Sequence, residues 1–567
     1  MRRRWPILLL GGAILVSTLL LLYLGRNQTV LVDQWAYVFA YRSWSPSTLL
    51  FPHNGHLVVF AVLVYKAMFE VFGIGSQLPY QLVNLALSAT VVLLLFALIR
   101  DRVGELLALA AATLILFYGP GLDTILVTYA FPNLIGIATG LAGLLVLRRG
   151  DLKGDLAACL LLTLSVASYS AGVAFVAGAA VAVALRPAGR RLRSVWVFAL
   201  PLAGYIAWML WARQFGQEPI YVHNLKTLGS AVADQLAAVL SGLTGLFTTP
   251  NGPPPASNPI PIRTTWGPVL VAGLGALVFL RMRRMPRPGP DAIVAIVVLF
   301  AYLLMIGIAL NQFRNTFDTR FVYFSSVLLL LAVAELLAPY RPSPTALVGV
   351  AIVFLFSMCA SVAELGDGAK ALHTASAVNK AKLAAVNLAG TAASPTALVE
   401  RPPEDMAFSV ATWHELEDEF GSPAYSEAEL RKAPLVARQA ADEELVRVMR
   451  IAPTPVRSVA PAPSAPPPAV ALKGGEAEPR RRGRCVSLLP RGASNVSALV
   501  RLKSGGISYE SAAPVEVSIG RFADLPIVSL PARAGASRLA MPDGASPAPW
   551  TVAMRVSAPT LVCPAVA

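Results

Sequence analysis

The sequence predicts a mostly α-helical protein: a polytopic membrane domain of about 11 spans plus one interfacial or re-entrant helix, then an extracytoplasmic helical segment and a small β-sandwich. Three observations carry this. Of 567 residues 56% are hydrophobic and 14% charged, and the mean hydropathy is +0.61, outside the balance of a water-soluble domain. Apolar runs recur from Trp5 to about residue 362 with basic clusters between them, and beyond Cys485 short alternating runs are separated by Gly, Pro and Asp turns. The domain boundaries expected are 1–362 (membrane), 363–451 (helical), 452–484 (Pro/Ala-rich and basic linker) and 485–567 (β-sandwich).

The formal charge of +15 does not point to nucleic acid, because most Arg and Lys sit in short clusters that the positive-inside rule explains. Trp5 to Leu24 follows Arg2-Arg3-Arg4 but is about 20 residues long without a small-residue cleavage site, so it reads as a retained span with its N-terminus inside. Further apolar runs lie at 57–73, 79–99, 103–118, 126–147, 155–169, 171–185, 195–215, 267–280, 291–310, 321–338 and 344–362.

Clusters around Arg100, Arg148, Arg186 and Arg281, and then Arg341, separate these runs; if all are cytoplasmic, each interval between them must hold an even number of crossings, and each does. Only the stretch before Arg100 breaks parity. Run 57–73 is short and carries Lys66 and Glu70, so it reads as interfacial or re-entrant, the alternative being that it spans and the Arg100 cluster departs from the charge rule. This map describes an integral plasma (inner) membrane protein with a cytoplasmic N-terminus and an extracytoplasmic C-terminal region.

The outer face then carries the loop 25–56, the turn Gly119 to Thr124, the turn around Tyr169, the loop 216–266 and the turn Asn311 to Arg320. The two runs that meet at Tyr169 are too short for full spans, which sets that turn below the bilayer surface, lining a cavity. Polar candidates gather on this side. Asp33 precedes Trp35, Tyr37, Tyr41 and Trp44 at near-helical spacing, which predicts an interfacial helix holding an acid at headgroup depth. His53 and His56 flank Asn54 and Gly55 and suit either a phosphate or a divalent metal, or else a helix cap or headgroup bond. Asp123 is a second acid at an outer turn, readable as a catalytic partner of Asp33 or as an N-cap. Arg314 and Arg320, with Tyr323 after them, form an arginine pair suited to phosphate or pyrophosphate, or to lipid headgroups.

In their order along the chain these residues resemble the GT-C superfamily of integral membrane glycosyltransferases, which includes protein O-mannosyltransferases and lipid A aminoarabinose transferases. The matching stretches are Asp33-Gln34-Trp35, His53-Asn54-Gly55-His56-Leu57, Phe72-Gly73 before Leu78-Pro79-Tyr80, Asp123, and Thr319-Arg320-Phe321-Val322-Tyr323, within residues 1–362. Two positions depart from it: Gln34 stands where many relatives have a second acid, and Gly55 where they often have Glu. The resemblance implies a polyprenyl-phosphate sugar donor and a lipid, protein or glycan acceptor. It further implies catalytic roles for Asp33 and Asp123 and substrate-binding roles for His53, His56, Tyr169, Arg314, Arg320 and Tyr323; the metal requirement stays open. A transporter or flippase for lipid-linked glycan and a non-catalytic scaffold are the competing classes.

Past Leu365 the chain is Ala-rich with alternating charges, and Ser426-Glu427-Ala428-Glu429 reads as a helix start. Pro453 to Pro468 reads as a stiff linker. Cys485 and Cys563 bracket the predicted β-sandwich, where an oxidising exterior permits a disulfide. The sequence contains no Gly-rich nucleotide loop, zinc-ligand spacing or serine-nucleophile motif.

Overall fold

The structure, a computed structural model, describes residues 5–216, 221–248, 263–284, 287–311, 314–338, 340, 342–399, 408–462, 468–474, 477–490, 496–502, 505–531, 533–542, 544 and 546–565. Arg341 and parts of the 216–266 loop and the Pro-rich linker lie outside them. The chain divides into two compact units, residues 1–72 with 77–373 and residues 73–76 with 374–567.

The first unit is helical: α1 Trp5–Leu24, α2 Asp33–Ala40, α3 Pro46–Leu49, α4 Val59–Phe72, α5 Leu78–Val103, α6 Glu105–Leu116, α7 Leu122–Ile125, α8 Phe131–Leu147, α9 Leu152–Ser168, α10 Gly172–Ala184, α11 Ala188–Arg191, α12 Trp196–Ala212, α13 Leu228–Thr244, α14 Gly267–Arg284, α15 Pro290–Ile308, α16 Thr319–Leu336 and α17 Pro344–Ala389. Every expected apolar run forms a helix. Among the described residues seven helices are long and apolar enough to cross a membrane, and the pair Glu105–Leu116 and Gly119–Ile125, bent by 51°, makes up to eight. The protein is an integral membrane protein. The run at 57–73 becomes α4, whose 14 residues reach only about 21 Å against a hydrocarbon core of about 30 Å.

The loop expected at 216–266 differs from its reading: it contains α13, which packs on α14, α15 and α16 and buries Ala231, Gln235, Ala238 and Val239. Its small apolar residues are interleaved with polar ones, so the stretch lacks the continuous apolar run by which the other helices are recognised. Among the described candidate spans α16 is the most buried, with Phe321, Val322, Phe324, Val327 and Leu328 in the main core.

At the end of α16 away from residue 320, Glu335 (3% exposed at its side chain) pairs with Arg102 at 3.1 Å and with Arg148, while Asp291 pairs with Arg102 and, at 3.5 Å, with Arg148. Two arginines read from sequence as topological markers therefore also join α5, α8, α15 and α16, and a buried carboxylate is retained because it is paired twice.

The second unit includes the rest of α17 and the helices α18 Val410–Phe420, α19 Glu427–Lys432 and α20 Leu435–Val448. The start signal at Ser426 is a complete capping box: the Ser426 hydroxyl accepts from Glu429 N, and Glu429 accepts from Ser426 N. The strands are β1 Leu398–Val399, β2 Phe408–Ser409, β3 Thr454–Pro455, β4 Ala469–Gly474, β5 Ala477–Arg482, β6 Cys485–Pro490, β7 Val496–Leu502, β8 Gly505–Ser511, β9 Glu516–Gly520, β10 Val528–Pro531, β11 Gly535–Met541, β12 Trp550–Val556 and β13 Thr560–Ala565. β1 and β2 pair with each other, and the others form antiparallel sheets of order β10-β9-β12-β7-β4 and β3-β11-β8-β13-β6-β5. Burial alternates along β7, β11 and β12, as period-two patterning requires when one face of a sheet is covered.

Residues 469–474 and 477–482, read from sequence as linker, supply β4 and β5. Val470 and Leu472 alternate with Ala there, and the Arg480-Arg481-Arg482 run that hides β5 lies on an edge strand, where charge guards against edge-to-edge pairing. Asp442 of α20 docks on the turn after β9, its carboxylate accepting from the amides of Arg521, Phe522 and Ala523 at 2.8–2.9 Å.

Cys485 and Cys563 form a disulfide with Cα atoms 4.2 Å apart. It joins β6 and β13, neighbours in one sheet and the first and last strands of residues 485–567, which the two cysteines bracket in the sequence. The chain-entropy argument remains, since the bond closes 78 residues. We expect both thiols to resist alkylation until reduction, and Cys563→Ser to lower the stability of this unit by about 2–4 kcal/mol in denaturant unfolding.

Candidate functional site

The site is built where α2, the turn between α3 and α4, the α9–α10 junction and the start of α16 meet. Asp33 is the first residue of α2 and is preceded by Val32 at φ +42° and ψ −119°, a backbone region foreign to a β-branched residue. Such a conformation costs about 1–3 kcal/mol and needs surrounding bonds to hold it. Those bonds are present: Leu31 N donates to Gln34 Oε1 at 3.2 Å, Trp35 N to Val32 O at 3.1 Å, and the Trp35 indole to Val30 O at 3.0 Å.

Gln34, fully buried, also donates to Gln77 Oε1 at 3.0 Å. It serves the turn from within the protein. At the other end of α2, Lys66 Nζ donates to the carbonyls of Tyr41 at 2.6 Å and Arg42 at 2.9 Å, a cation on the helix C-terminus where the helix dipole favours it. The charged residue in the apolar run of α4 thus anchors the helix that presents Asp33.

His53 and His56 exchange both backbone hydrogen bonds, at 3.0 and 2.9 Å, across a two-residue turn in which Asn54 has φ +50° and Gly55 φ +76°. Positive φ at both central positions is the geometry for which Asn-Gly is preferred. Gly55 is therefore required by the turn, which is a local reason for its departure from the Glu of the GT-C pattern. The hairpin sets His53 Nε2 at 3.6 Å from Asp33 Oδ2 and lays the His53 ring against Tyr37, with centroids 4.8 Å apart. His56 packs on Tyr169 at 4.8 Å, and Leu57 N donates to Ser170 Oγ at 3.2 Å.

Arg314 donates to Asn54 O, tying the turn before α16 to the hairpin. Burial works to raise the Asp33 carboxyl, but the His53 hydrogen bond and charge, with Arg320 and Arg314 behind them, hold it below the usual carboxylate range. Asp33 is thus ionised at neutral pH. His56, by contrast, is pushed well below the usual imidazole range by burial and then by Arg314, and stays neutral.

The start of α16 is fixed from beneath. Asp123 is buried and accepts from the Thr319 hydroxyl, while Asp318 accepts from Asn315 N at 2.9 Å and from Arg320 at 3.2 Å. Arg320 lies in electrostatic reach of Asp33, Asp123 and Tyr169. Asp33, His53, His56, Tyr169, Arg314 and Arg320 are brought into one group, with Asp123 under it as a support for α16. Tyr323 is set apart: it is fully buried, its hydroxyl lies 3.5 Å from Ser88 Oγ, and its ring fills the space where a side chain at Gly121 would sit. Its position fits packing between α16, α5 and the turn at 119–121.

Sequence reading passed over a row of polar residues on α5. Gln77, just before it, then Gln81, Asn84 and Ser88 are all buried and share one face at helical spacing. Asn84 and Gln77 serve the broken segment between α6 and α8, Gln77 accepting from the Thr128 hydroxyl at 3.0 Å, while Gln81 reaches the loop after α1 and Ser88 lies near Tyr323. Asn84 Nδ2 donates to the carbonyls of Thr124 and Ile125 at 3.1 and 3.2 Å, and Gln81 donates to Gly25 O. Gln28 donates to Leu126 O at 2.9 Å and Tyr65 to Thr128 O at 2.6 Å. The available signal was the i, i+4, i+7, i+11 spacing of polar residues inside an apolar run, unexpected for a span that faces only lipid.

Among the described residues no group of three or more His, Cys, Asp or Glu side chains is placed to hold a metal ion. Asp33 with His53 offers two such groups.

No protein-family model and no curated protein sequence matches this chain. Among solved structures it is similar to the Archaeoglobus fulgidus oligosaccharyltransferase tethered to an acceptor peptide containing the NVT sequon, with 12% identity and a TM-score of 0.40 over 75% of this chain and 60% of that one. It is also similar to the archaeal oligosaccharyltransferase AglB from Archaeoglobus fulgidus in complex with an inhibitory peptide and a dolichol-phosphate, with 12% identity and a TM-score of 0.34 over 67% of this chain and 58% of that one. The chain thus aligns with about three fifths of the length of each.

Two outcomes are expected from this geometry. Asn84→Leu removes the donor for the carbonyls of Thr124 and Ile125 and should lower thermal stability by about 1–2 kcal/mol, whereas Leu93→Ala, at an exposed position of the same helix, should have little effect. Asp318 is raised to about 6 by burial, partly offset by Arg320 and the Asn315 amide. Since its folded value lies above the ordinary carboxylate value, the Asp318 contribution to stability declines as pH rises from about 4 to about 6. Melting curves across that window should show the decline in the native chain and a flatter course in Asp318→Asn.

Proposed function

We propose that this protein is a glycosyltransferase that moves a sugar from a polyprenyl-phosphate-linked donor to an acceptor on lipid, protein or glycan at the extracytoplasmic face of the membrane. The observation that carries the reading is an ionised Asp33 in one group with His53 at 3.6 Å and with two arginines. An anionic base beside paired guanidinium groups is what displacement at a sugar carbon bearing a phosphate requires.

In the reaction the acceptor hydroxyl attacks the anomeric carbon and its proton passes to the Asp33 carboxylate. The new carbon–oxygen bond forms as the bond to the phosphate oxygen breaks, and the electron pair leaves on the polyprenyl phosphate. Arg314 and Arg320 stabilise that developing charge, and fixed donors are worth most where water is scarce. His53 steadies Asp33, Tyr169 and neutral His56 line the sugar's side, and Asp123 acts through Thr319 to aim Arg320. Residues 1–362 carry the chemistry with the N-terminus cytoplasmic, and the β-sandwich binds or positions material outside the membrane.

The test is sugar transfer from polyprenyl-phosphate donors by purified protein. Asp33→Asn should reduce turnover by about 100-fold or more while leaving the melting temperature close to that of the native chain. Unchanged turnover in that variant removes Asp33 from the chemistry.

A further inference from the structure

At the end of α16 opposite the candidate site, α5, α6, α16 and α17 enclose an apolar groove of about 550 Å³. Ile99 of α5, Leu107 and Leu114 of α6, Leu330 and Leu337 of α16 and Val350 of α17 are among the residues that line it. All four helices belong to the candidate membrane-spanning set, so the medium around the groove is hydrocarbon. Apolar cavities do not hold water, which needs polar partners, and a groove open to the bilayer takes up a lipid chain instead.

Its polar end has a distinctive charge. Arg281 donates to Leu336 O at 2.7 Å, one residue before the lining Leu337. Arg100 and Arg102 occupy the last turn of α5, beside the lining residues Ile99 and Val103. Arg102 is committed to Asp291 and Glu335. Arg100 is not so committed: its nearest carboxylate oxygen, on Asp101, is 3.9 Å from Nε, and that buried Nε makes no hydrogen bond. A guanidinium with unsatisfied donor capacity on the residue next to the lining Ile99 is a match for a phosphodiester.

We propose that this groove is a lipid-binding site that holds an acyl chain of an anionic phospholipid, with the lipid's phosphate at Arg100. The site is independent of the Asp33 group, which sits at the other end of α16. Anionic rather than zwitterionic lipid is selected because Arg100, next to the lining Ile99, and Arg281, on the carbonyl of Leu336, put positive charge at that end of the groove, which attracts a phosphate and repels a headgroup that carries its own cation.

Gly349 supplies the probe. It lines the groove, and a Cβ added there meets nothing within 4 Å, so Gly349→Trp starts from open space on the groove wall. Gly273 on α14 is equally open and lies outside the groove, so Gly273→Trp is the control. The full-length protein, delipidated in detergent and given phosphatidylglycerol or phosphatidylcholine in mixed micelles, would be examined by native mass spectrometry.

The expected result is about one retained phosphatidylglycerol per native chain and per Gly273→Trp chain, at least 10-fold less in Gly349→Trp, and several-fold less in Arg100→Gln. A melting temperature close to native in each variant establishes that the loss is not unfolding. Ala346→Trp, at another lining position, gives the same readout if Gly349→Trp folds poorly. Equal retention of phosphatidylglycerol by native and groove-filled chains overturns the site. Equal retention of phosphatidylcholine, retention that ignores Arg100→Gln, or a second copy of the chain in place of lipid overturns the assignment of the occupant.

Discussion

Backbone carbonyls that leave a helix within a membrane must find donors inside the protein, and the candidate site rests on how this chain meets that demand. Between α6 and α8 the backbone runs through short turns from Tyr118 to Ala130. Asn84, Gln28 and Tyr65 donate to the carbonyls at 124–126 and 128. With those bonds made, Asp123 is held where it accepts from Thr319, and the start of α16 is fixed. Arg320 follows one residue later, beside the hairpin that Arg314 ties to Asn54. Buried donors on α5, on α4 and in the loop after α1 thus bear on where a guanidinium stands on α16.

Local strain belongs to the same scheme. Val32 at positive φ and the Asn54-Gly55 turn are each held by short-range hydrogen bonds, and each lies next to a site residue. Lys66 on three successive carbonyls, Tyr41, Arg42 and Ser43, secures the far end of α2. The opposite end of α16 has its own constraint in the paired Glu335, so α16 is clamped at both ends, by a hydroxyl–carboxylate contact at one and by ion pairs at the other.

Much of this was legible in the sequence because hydrocarbon enforces long apolar runs, and each run is a helix. Asp33, both histidines, Tyr169 and the two arginines stood out as polar groups at predicted helix ends, and the fold gathers them. What escaped notice had weaker signals. α13 breaks its Leu and Val positions with Gly229, Ser230, Asp234, Gln235 and Ser241, and β5 is masked by its arginines. Gln34 and Gly55 appeared as departures from a catalytic pattern, yet their burial and backbone angles are set by the turns they occupy. Tyr323 followed Arg320 in a motif-like order, but its fully buried ring packs against Gly121 and its hydroxyl lies near Ser88, so it joins α16 to its neighbours instead of the Asp33 group.

The central claim is that Arg314 and Arg320 form the seat of a lipid-linked phosphate beside the Asp33 carboxylate. Photo-crosslinking with a polyprenyl phosphate bearing a photoreactive group near the phosphate tests it directly, with peptide mapping of the label. The account predicts label in residues 53–57, 168–170 and 314–320, displaced by unlabelled polyprenyl phosphate and weakened by Arg320→Gln. Label confined to other segments, or undiminished by competitor, would contradict it.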